Sequence, residues 1–352
     1  MNIMNLSIEP QKTERFIHSF KTALACLLGF AVAKLTHFRT EQWLIITTLV
    51  VMCAQINVGS VIQKSYMRFL GTLTGSVLAI LTLQLFGANT LASIVVVTLS
   101  AVFFSYLATS DKSYSDSGTL GAVTVCIILI GQNPTVTSGI ERCIEISIGI
   151  LIAALVSQFI FPIHAKRHLR DNQAKTIRQL RSFYLQIFSS HTTEKTAEEL
   201  QILDENISKS LIVQRKLAGE AKRENFKGKF NANFFTQCLR CEKEIMRSII
   251  FMSHAYQASD GAKKIVSDLD LFKDFHKQVS HALEEIAVSI ETRKNQIISL
   301  PEMTPLKNAL QKEIELADDD LEIQLCALLF CAETLVNRLD RVVVLLKSVN
   351  SI

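Results

Sequence analysis

Charged residues are nearly absent from the first half of this 352-residue chain. Positions 1–163 hold 16 residues of Asp, Glu, Lys or Arg, whereas positions 164–352 hold 54. So uneven a distribution excludes a chain of uniform globular character. It predicts two domains, 1–163 and 164–352, that meet near Pro162.

Other absences exclude whole classes of function. No strand-like alternation of useful length occurs, which excludes β architectures. The chain has no Gly-x4-Gly-Lys-Ser phosphate loop, so ATP is not expected as a direct energy source. Cys238 and Cys241 have the spacing of half a zinc site, but no second Cys or His pair follows. We therefore expect no metal, no cofactor, no nucleic-acid partner and no enzymatic activity.

What fills the first domain is apolar sequence. A bilayer core of about 30 Å requires roughly 20 apolar residues in a helix. The apolar runs predict six membrane spans, at about 16–35, 42–60, 67–86, 90–108, 117–132 and 141–162. The second domain has the periodicity of amphipathic helices, with helices near 229–258, 263–297 and 305–349 and linkers at 259–261 and around Pro301 and Pro305. The predicted fold is all-α: a six-helix transmembrane domain followed by a cytoplasmic helical bundle.

Lysine and arginine residues near the span ends predict the orientation. With the N-terminus inside, the inner segments hold twelve of these residues, and the outer loops hold Lys34, Arg39 and Arg142. The twelve are Lys12, Arg15, Lys21, Lys64, Arg68, Lys112 and six within 166–181. This balance places both termini in the cytoplasm. An alternative is a cleavable signal peptide at 12–33, ending at Ala31-Val32-Ala33, which would leave five spans and export the second domain.

Small residues recur at every fourth position in the third and sixth spans. Such faces let helix backbones approach closely in lipid. The residues are Gly71, Gly75 and Ala79 in the third span, and Gly149 and Ala153, in register with Glu145, in the sixth. Both spans also read Arg-x6-Gly-x3-Ala, starting at Arg68 and at Arg142. A repeat unit of three spans is odd, so successive copies enter the membrane from opposite sides. The pattern therefore predicts an inverted three-plus-three repeat, with a substrate site between the halves.

Five polar or aromatic residues are candidates for a substrate or ion pathway: Arg68, Thr72, Arg142, Glu145 and Trp43. Arg142 and Glu145 are three residues apart on one helix face and suit an ion pair. Charges within a span usually face a wet cavity or a partner. The alternative is that both lie at headgroup level and only position the helix. Arg68 is equally suited to be a cytoplasmic anchor, and Trp43 an interfacial anchor.

Four features occur in the following order: Trp43 at the start of a span, the stretch from Arg68 to Gly75, Tyr114 before a Thr124-containing span, and Arg142-x2-Glu-Ile-x2-Gly149. Together they resemble the fusaric-acid-resistance and aromatic-acid-exporter family over about residues 15–163. The resemblance implies a bacterial inner-membrane protein that exports aromatic or other small organic acids, driven by protons. It also implies kinship with plant organic-anion channels. Many such proteins carry two membrane modules and two soluble modules, so a homodimer is expected here.

The sequence therefore predicts a secondary exporter of small organic anions, with protons and membrane lipids as its other partners. Arg68 and Arg142 would attract the carboxylate, and Glu145 would carry the coupling proton. A passive anion channel and a membrane-anchored scaffold without transport activity are the alternatives.

Overall fold

The structure is a computed structural model that describes residues 8–36, 42–53, 55–110, 114–131, 134–188, 194–224, 231–294 and 296–350. Within these ranges the chain is helical almost throughout and contains no strand. The all-α prediction is confirmed. The chain divides into two compact units, Met1–Ala165 and Lys166–Ile352.

The first unit contains six helices in its described part. They are α1 (Ile8–Thr36), α2 (Gln42–Cys53), α3 (Val58–Phe86), α4 (Thr90–Ser110), α5 (Ser115–Ile130) and α6 (Val136–Phe159). Three are long and apolar enough to cross a membrane, namely Lys12–Thr36 of α1, α3 and α4, while α2 and α5 are shorter apolar helices. Arg39 and Lys112, which entered the charge balance, lie outside the described residues.

Burial in this unit is inverted relative to a soluble protein. Large apolar side chains of α4 are exposed, among them Leu91 and Val102, while Arg68 and Glu145 are buried. In water such an apolar surface would cost about 25 cal/mol for each Å² left exposed, a cost that lipid removes. The unit is therefore built for a membrane.

The break between the second and third helices lies earlier than the sequence predicts. Helix α2 ends at Cys53 and α3 begins at Val58, so the segment from Val58 to Tyr66 belongs to α3. Asn57 precedes α3 with extended backbone angles, and its backbone oxygen accepts from the amide of Val61. Gln63 and Lys64 lie between the two predicted spans, and they are polar residues that a helix accommodates readily.

Helix ends elsewhere follow local rules. Helix α3 ends at Phe86, and the following residue, Gly87, has a φ of 61° that favours glycine. The side chain of Asn89 then accepts hydrogen bonds from the amides of Leu91 and Ala92 and caps α4. Helix α6 begins with a reciprocal capping box between Thr135 and Ser138. These caps fix where the apolar helices start and stop.

Helix packing in the first unit is organised around α3 and α6, which contact each other. Helix α3 also packs on α5, which in turn packs on α4, and α6 also packs on α2 and α1. One buried cluster forms on each side: Ala25, Leu44, Val51, Met52, Val61, Ile152, Ala153 and Val156 on the α2 side, and Ala79, Leu83, Phe104, Val125, Ile128 and Leu129 on the α5 side.

The second unit is a helical bundle with one large apolar core. Its helices are α7 (Ala165–Ile187), α8 (Glu194–Arg223), α9 (Ala232–Gln257), α10 (Asp260–Asp268), α11 (Asp270–Thr292), α12 (Met303–Leu316) and α13 (Asp319–Asn350). Two helices predicted as continuous are each divided, at Leu269 and at Ala317–Asp318, and Pro305 lies in the first turn of α12 rather than in a linker. The helical period continues across both divisions, so periodicity alone does not reveal them.

Candidate functional site

Arg68 is a buried cation in the interior of the first unit. It lies in the third turn of α3, its residue is 5% exposed, and its Nη2 donates a 3.2 Å hydrogen bond to Oγ1 of Thr47 on α2. Its Nε has no hydrogen-bond acceptor among the described residues. Because guanidinium carries five N–H donors in a planar fork, Arg68 retains capacity to bind a carboxylate.

Hydroxyl groups continue from Arg68 along one face of α3. Ser65, Thr72 and Ser76 are all buried. In the described part of the chain, Oγ of Ser65 and Oγ of Ser76 are buried without a hydrogen-bond partner. Buried polar groups are normally satisfied, and an exception often marks a site that a ligand or water completes. The face therefore has the chemistry of a polar path through an apolar unit.

Glu145 lies fully buried on α6, one turn before Gly149. Its carboxyl group interacts electrostatically with Arg142, three residues earlier on the same helix. Glu145 thus lies in packed protein rather than on the lipid-facing surface. A buried carboxyl group inside a membrane unit is well suited to take up and release a proton.

Arg142 stacks on Trp43. Its Cζ lies 4.3 Å from the centroid of the indole ring, a cation–π contact between α6 and the second residue of α2. The indole Nε1 is buried without an acceptor among the described residues. Trp43 and Arg142, predicted separately from the sequence, are therefore brought together.

The small-residue faces lie at the closest helix contacts. A Cβ atom at Gly75 would lie 2.6 Å from the carbonyl oxygen of Gly121 and 3.0 Å from Cβ of Thr124 on α5. A Cβ atom at Gly149 would lie 2.6 Å from the carbonyl oxygen of Leu44 and 3.0 Å from Cβ of Thr47 on α2. In each case the glycine packs on a carbonyl oxygen and on the threonine three positions later.

These two contacts have the pattern expected of an inverted repeat. The third helix of each half packs on the second helix of the other half, through the glycine at the same position of the Arg-x6-Gly-x3-Ala pattern. Gly71 packs against the backbone of Ser117, while Ala79 and Ala153 are fully buried. The equivalence of the contacts supports the repeat independently of the sequence pattern.

Two residues of this site are not evident from the sequence. Thr47 accepts the hydrogen bond from Arg68 and also packs on Gly149, so it connects α2 to both α3 and α6. Asp116, the second residue of α5, interacts electrostatically with Arg68. Threonine is common in membrane helices, so its residue type does not mark Thr47 as functional. Asp116 lies in a polar stretch between two predicted spans, where an acidic residue is expected in a loop.

Lys21 was counted among the inner positive charges, but its side chain is fully buried. Its Nζ donates to the carbonyl oxygens of Ser157 (3.2 Å) and Phe161 (3.4 Å) at the end of α6. The sequence does contain a signal for this burial, because Lys21, Ala25, Gly29 and Ala33 recur every four residues and are all buried. The first helix thus has the same kind of small-residue face as the third and sixth.

The fold and these buried polar groups define an α-helical membrane protein with an attached helical bundle. The chain belongs to the fusaric acid resistance protein family, whose model matches residues 15–216. The match covers most of the first unit and reaches into α8, so the family resemblance seen in the sequence is confirmed.

Two relatives from Escherichia coli K12 are similar to this chain. Inner membrane protein YeeA is 24% identical over 277 residues, which are 78% of this chain and 75% of YeeA. Multidrug resistance protein MdtO is 30% identical over 174 residues, which are 46% of this chain and 25% of MdtO. The alignment therefore spans only a quarter of MdtO.

Proposed function

We propose that this protein is a secondary efflux transporter that moves small organic acids, aromatic acids above all, across the bacterial inner membrane in exchange for protons. Membership of the fusaric acid resistance protein family supports this function. So do the names of two relatives, one an inner membrane protein and the other a multidrug resistance protein.

The proposal rests on the guanidinium group of Arg68, which is buried and incompletely hydrogen-bonded. A buried guanidinium is costly unless an anion completes its coordination. Asp116 interacts with Arg68 electrostatically, but the hydrogen bond that Arg68 makes in the described residues is to Thr47. The hydroxyl groups of Ser65 and Ser76 on the same helix offer further hydrogen bonds to the same anion or to accompanying water. A carboxylate is an anionic group that guanidinium binds in two-point geometry.

Glu145 supplies the coupling in this proposal. Its carboxyl group is buried on α6, whereas Arg68 lies on α3, and these two helices pack on each other. Movement of α6 against α3 would therefore change the surroundings of both groups together. Gly75 and Gly149 provide close, smooth contacts along which the two halves can shift.

Transport into or out of lipid vesicles tests the proposal. The purified protein is reconstituted, a pH gradient is imposed, and the flux of a panel of fluorescent aromatic acids is measured. Arg68→Gln should lower the initial rate roughly ten- to hundredfold, the loss expected for one or two charge-assisted hydrogen bonds. Lys64→Gln, which removes a positive charge one turn earlier on α3, is the matched control and should keep the rate.

Two results would contradict the exporter. Ohmic anion current without dependence on the proton gradient would identify a passive channel. Neither flux nor current for any acid in the panel would favour a scaffold.

We further propose that both termini are cytoplasmic and that two copies associate. The excess of Lys and Arg in the inner segments supports the orientation. Cysteine labelling from either side of the membrane, at exposed positions of the second unit, tests it. Native mass spectrometry of the detergent-solubilised protein tests the dimer, and a monomer at every protein concentration would overturn it.

A further inference from the structure

Glu242 is a carboxyl group buried in the second unit, far along the chain from the proposed pathway. It lies on α9 and is 1% exposed. Its Oε2 accepts a 2.7 Å hydrogen bond from Nε2 of Gln214 on α8, and the side chain of Gln173 on α7 also donates to it. Three helices therefore meet at this one carboxyl group.

A chain of buried polar groups extends from it. Nε2 of Gln214 also lies 2.9 Å from Oγ1 of Thr176, and Thr176 donates to Oγ of Ser210 at 3.0 Å. Ser210 in turn donates to Oδ1 of Asn172 at 3.2 Å. All of these partners are uncharged, so the network satisfies hydrogen bonds without compensating a charge.

The charged and titratable groups near Glu242 are directed elsewhere. Among the described side chains, α7 and α8 present the amides of Gln173 and Gln214 to it. On α13, Arg338 pairs with Glu244 at 2.7 Å, and both Arg338 and Arg341 interact with Cys241. Cys238 and Cys241 on α9 are titratable neighbours of Glu242, and burial raises the pKa of both thiols so that they stay neutral.

Burial without a cation has a direct consequence for protonation. It raises the pKa of Glu242 from 4.5 to about 8, against the smaller opposite effect of the two amide donors. At neutral pH the group is a neutral acid that fits the network. Once ionised, it is an uncompensated charge in an apolar core, which water entry or helix separation must relieve.

We propose that Glu242 is a pH-sensitive switch, whose ionisation at alkaline pH loosens the packing of α7 and α8 on α9. Helix α7 is the first helix after α6 in the chain, so the switch acts on the segment that follows the membrane unit in sequence. The proposal concerns the bundle alone and does not depend on the transport activity.

Hydrogen–deuterium exchange of the full-length protein in lipid nanodiscs tests the switch. After correction for the intrinsic pH dependence of exchange, protection of residues 165–187 and 200–223 should fall about tenfold between about pH 7 and about pH 9. Glu242→Gln, which mimics the neutral acid, should keep full protection over this range. Glu220→Gln, which alters another buried glutamate of α8, should behave as wild type.

The proposal is overturned if the wild type shows no loss of protection, or if Glu242→Gln shows the same loss. Infrared spectroscopy of the wild type provides an independent readout. A carbonyl band of a protonated carboxyl group should vanish between about pH 7 and about pH 9. The Glu145→Gln variant should show the same band with the same titration, because the band arises from Glu242. A band that does not titrate in this range would also overturn the switch.

Discussion

The guanidinium group of Arg142 lies over the indole ring of Trp43, with 4.3 Å between Cζ and the ring centroid. The contact joins the same two helices that Gly149 brings close together. A cation–π contact of this kind contributes about 0.5 to 2 kcal/mol. Arg142 is thus engaged with protein, whereas Arg68 keeps an unsatisfied N–H group, and the two arginines of the repeat have different environments.

The fluorescence of Trp43 should report on this contact. Because Trp43 is the only tryptophan in the chain, the tryptophan emission of the folded protein comes from this site alone. Arg142→Gln removes the stacked cation and should change the wavelength and intensity of the emission, while Arg68→Gln should leave both unchanged. Equal spectra for wild type and Arg142→Gln would show that the stacked contact does not form in the membrane.

Replacement of Glu145 by Gln should separate transport from the proton gradient. The amide keeps the shape of the side chain but cannot carry a proton, so downhill flux of the organic acid should persist without acceleration by a pH gradient. Glu141→Gln, one turn earlier on α6, is the matched control and should keep the acceleration. Unchanged coupling in the Glu145 variant would remove Glu145 from the mechanism.

Gly75→Ala and Gly149→Ala should destabilise the membrane unit by similar amounts. Each new methyl group meets a backbone carbonyl oxygen at 2.6 Å, which requires the helices to separate and costs about 1 to 3 kcal/mol. Gly219→Ala on α8 is the control, because the nearest atom is the end of the Arg223 side chain at 4.0 Å. That change should stabilise its helix by about 1 kcal/mol. Thermal unfolding in detergent measures all three changes. An unchanged melting temperature for Gly149→Ala would contradict the close contact.

The sequence predicted the parts of this protein that rest on composition and period. Apolar runs located six helices, and four-residue spacing located Gly75 and Gly149 at their contacts, because both patterns repeat along one helix. Contacts between helices distant in sequence were not predictable, which is why Thr47 and the partners of Lys21 were missed. The α2–α3 break was misplaced between the predicted spans 42–60 and 67–86, where Gln63 and Lys64 interrupt the apolar sequence, because polar residues are compatible with a helix.

Lys21→Met should destabilise the junction between α1 and the end of α6. Methionine keeps much of the volume of lysine but cannot donate to the carbonyl oxygens of Ser157 and Phe161. Loss of donors to buried carbonyl groups costs about 1 to 3 kcal/mol. Lys12→Met, at an exposed position of the same helix, should be neutral. Thermal unfolding in nanodiscs distinguishes the two, and equal melting temperatures would show that the buried ammonium group is dispensable.

The stability of the second unit should also fall at acidic pH, because of His276 on α11. Its ring packs against Phe188 and Phe272, and Nδ1 lies within hydrogen-bond distance, 2.5 Å, of the hydroxyl oxygen of Tyr184. Burial lowers the pKa of His276 from 6.5 to about 4.

Between these pH values the unfolded chain binds a proton that the folded bundle excludes, so stability decreases as pH falls from about 6.5 to about 4, by roughly 3 kcal/mol in total. His276→Gln has no proton to bind and should lose this part of the acid dependence, although it is less stable at neutral pH. His281→Gln, at an exposed position of the same helix, should retain it. Urea unfolding of the three proteins at several pH values measures the slopes, and a wild-type slope that His276→Gln preserves would assign the acid sensitivity to another group.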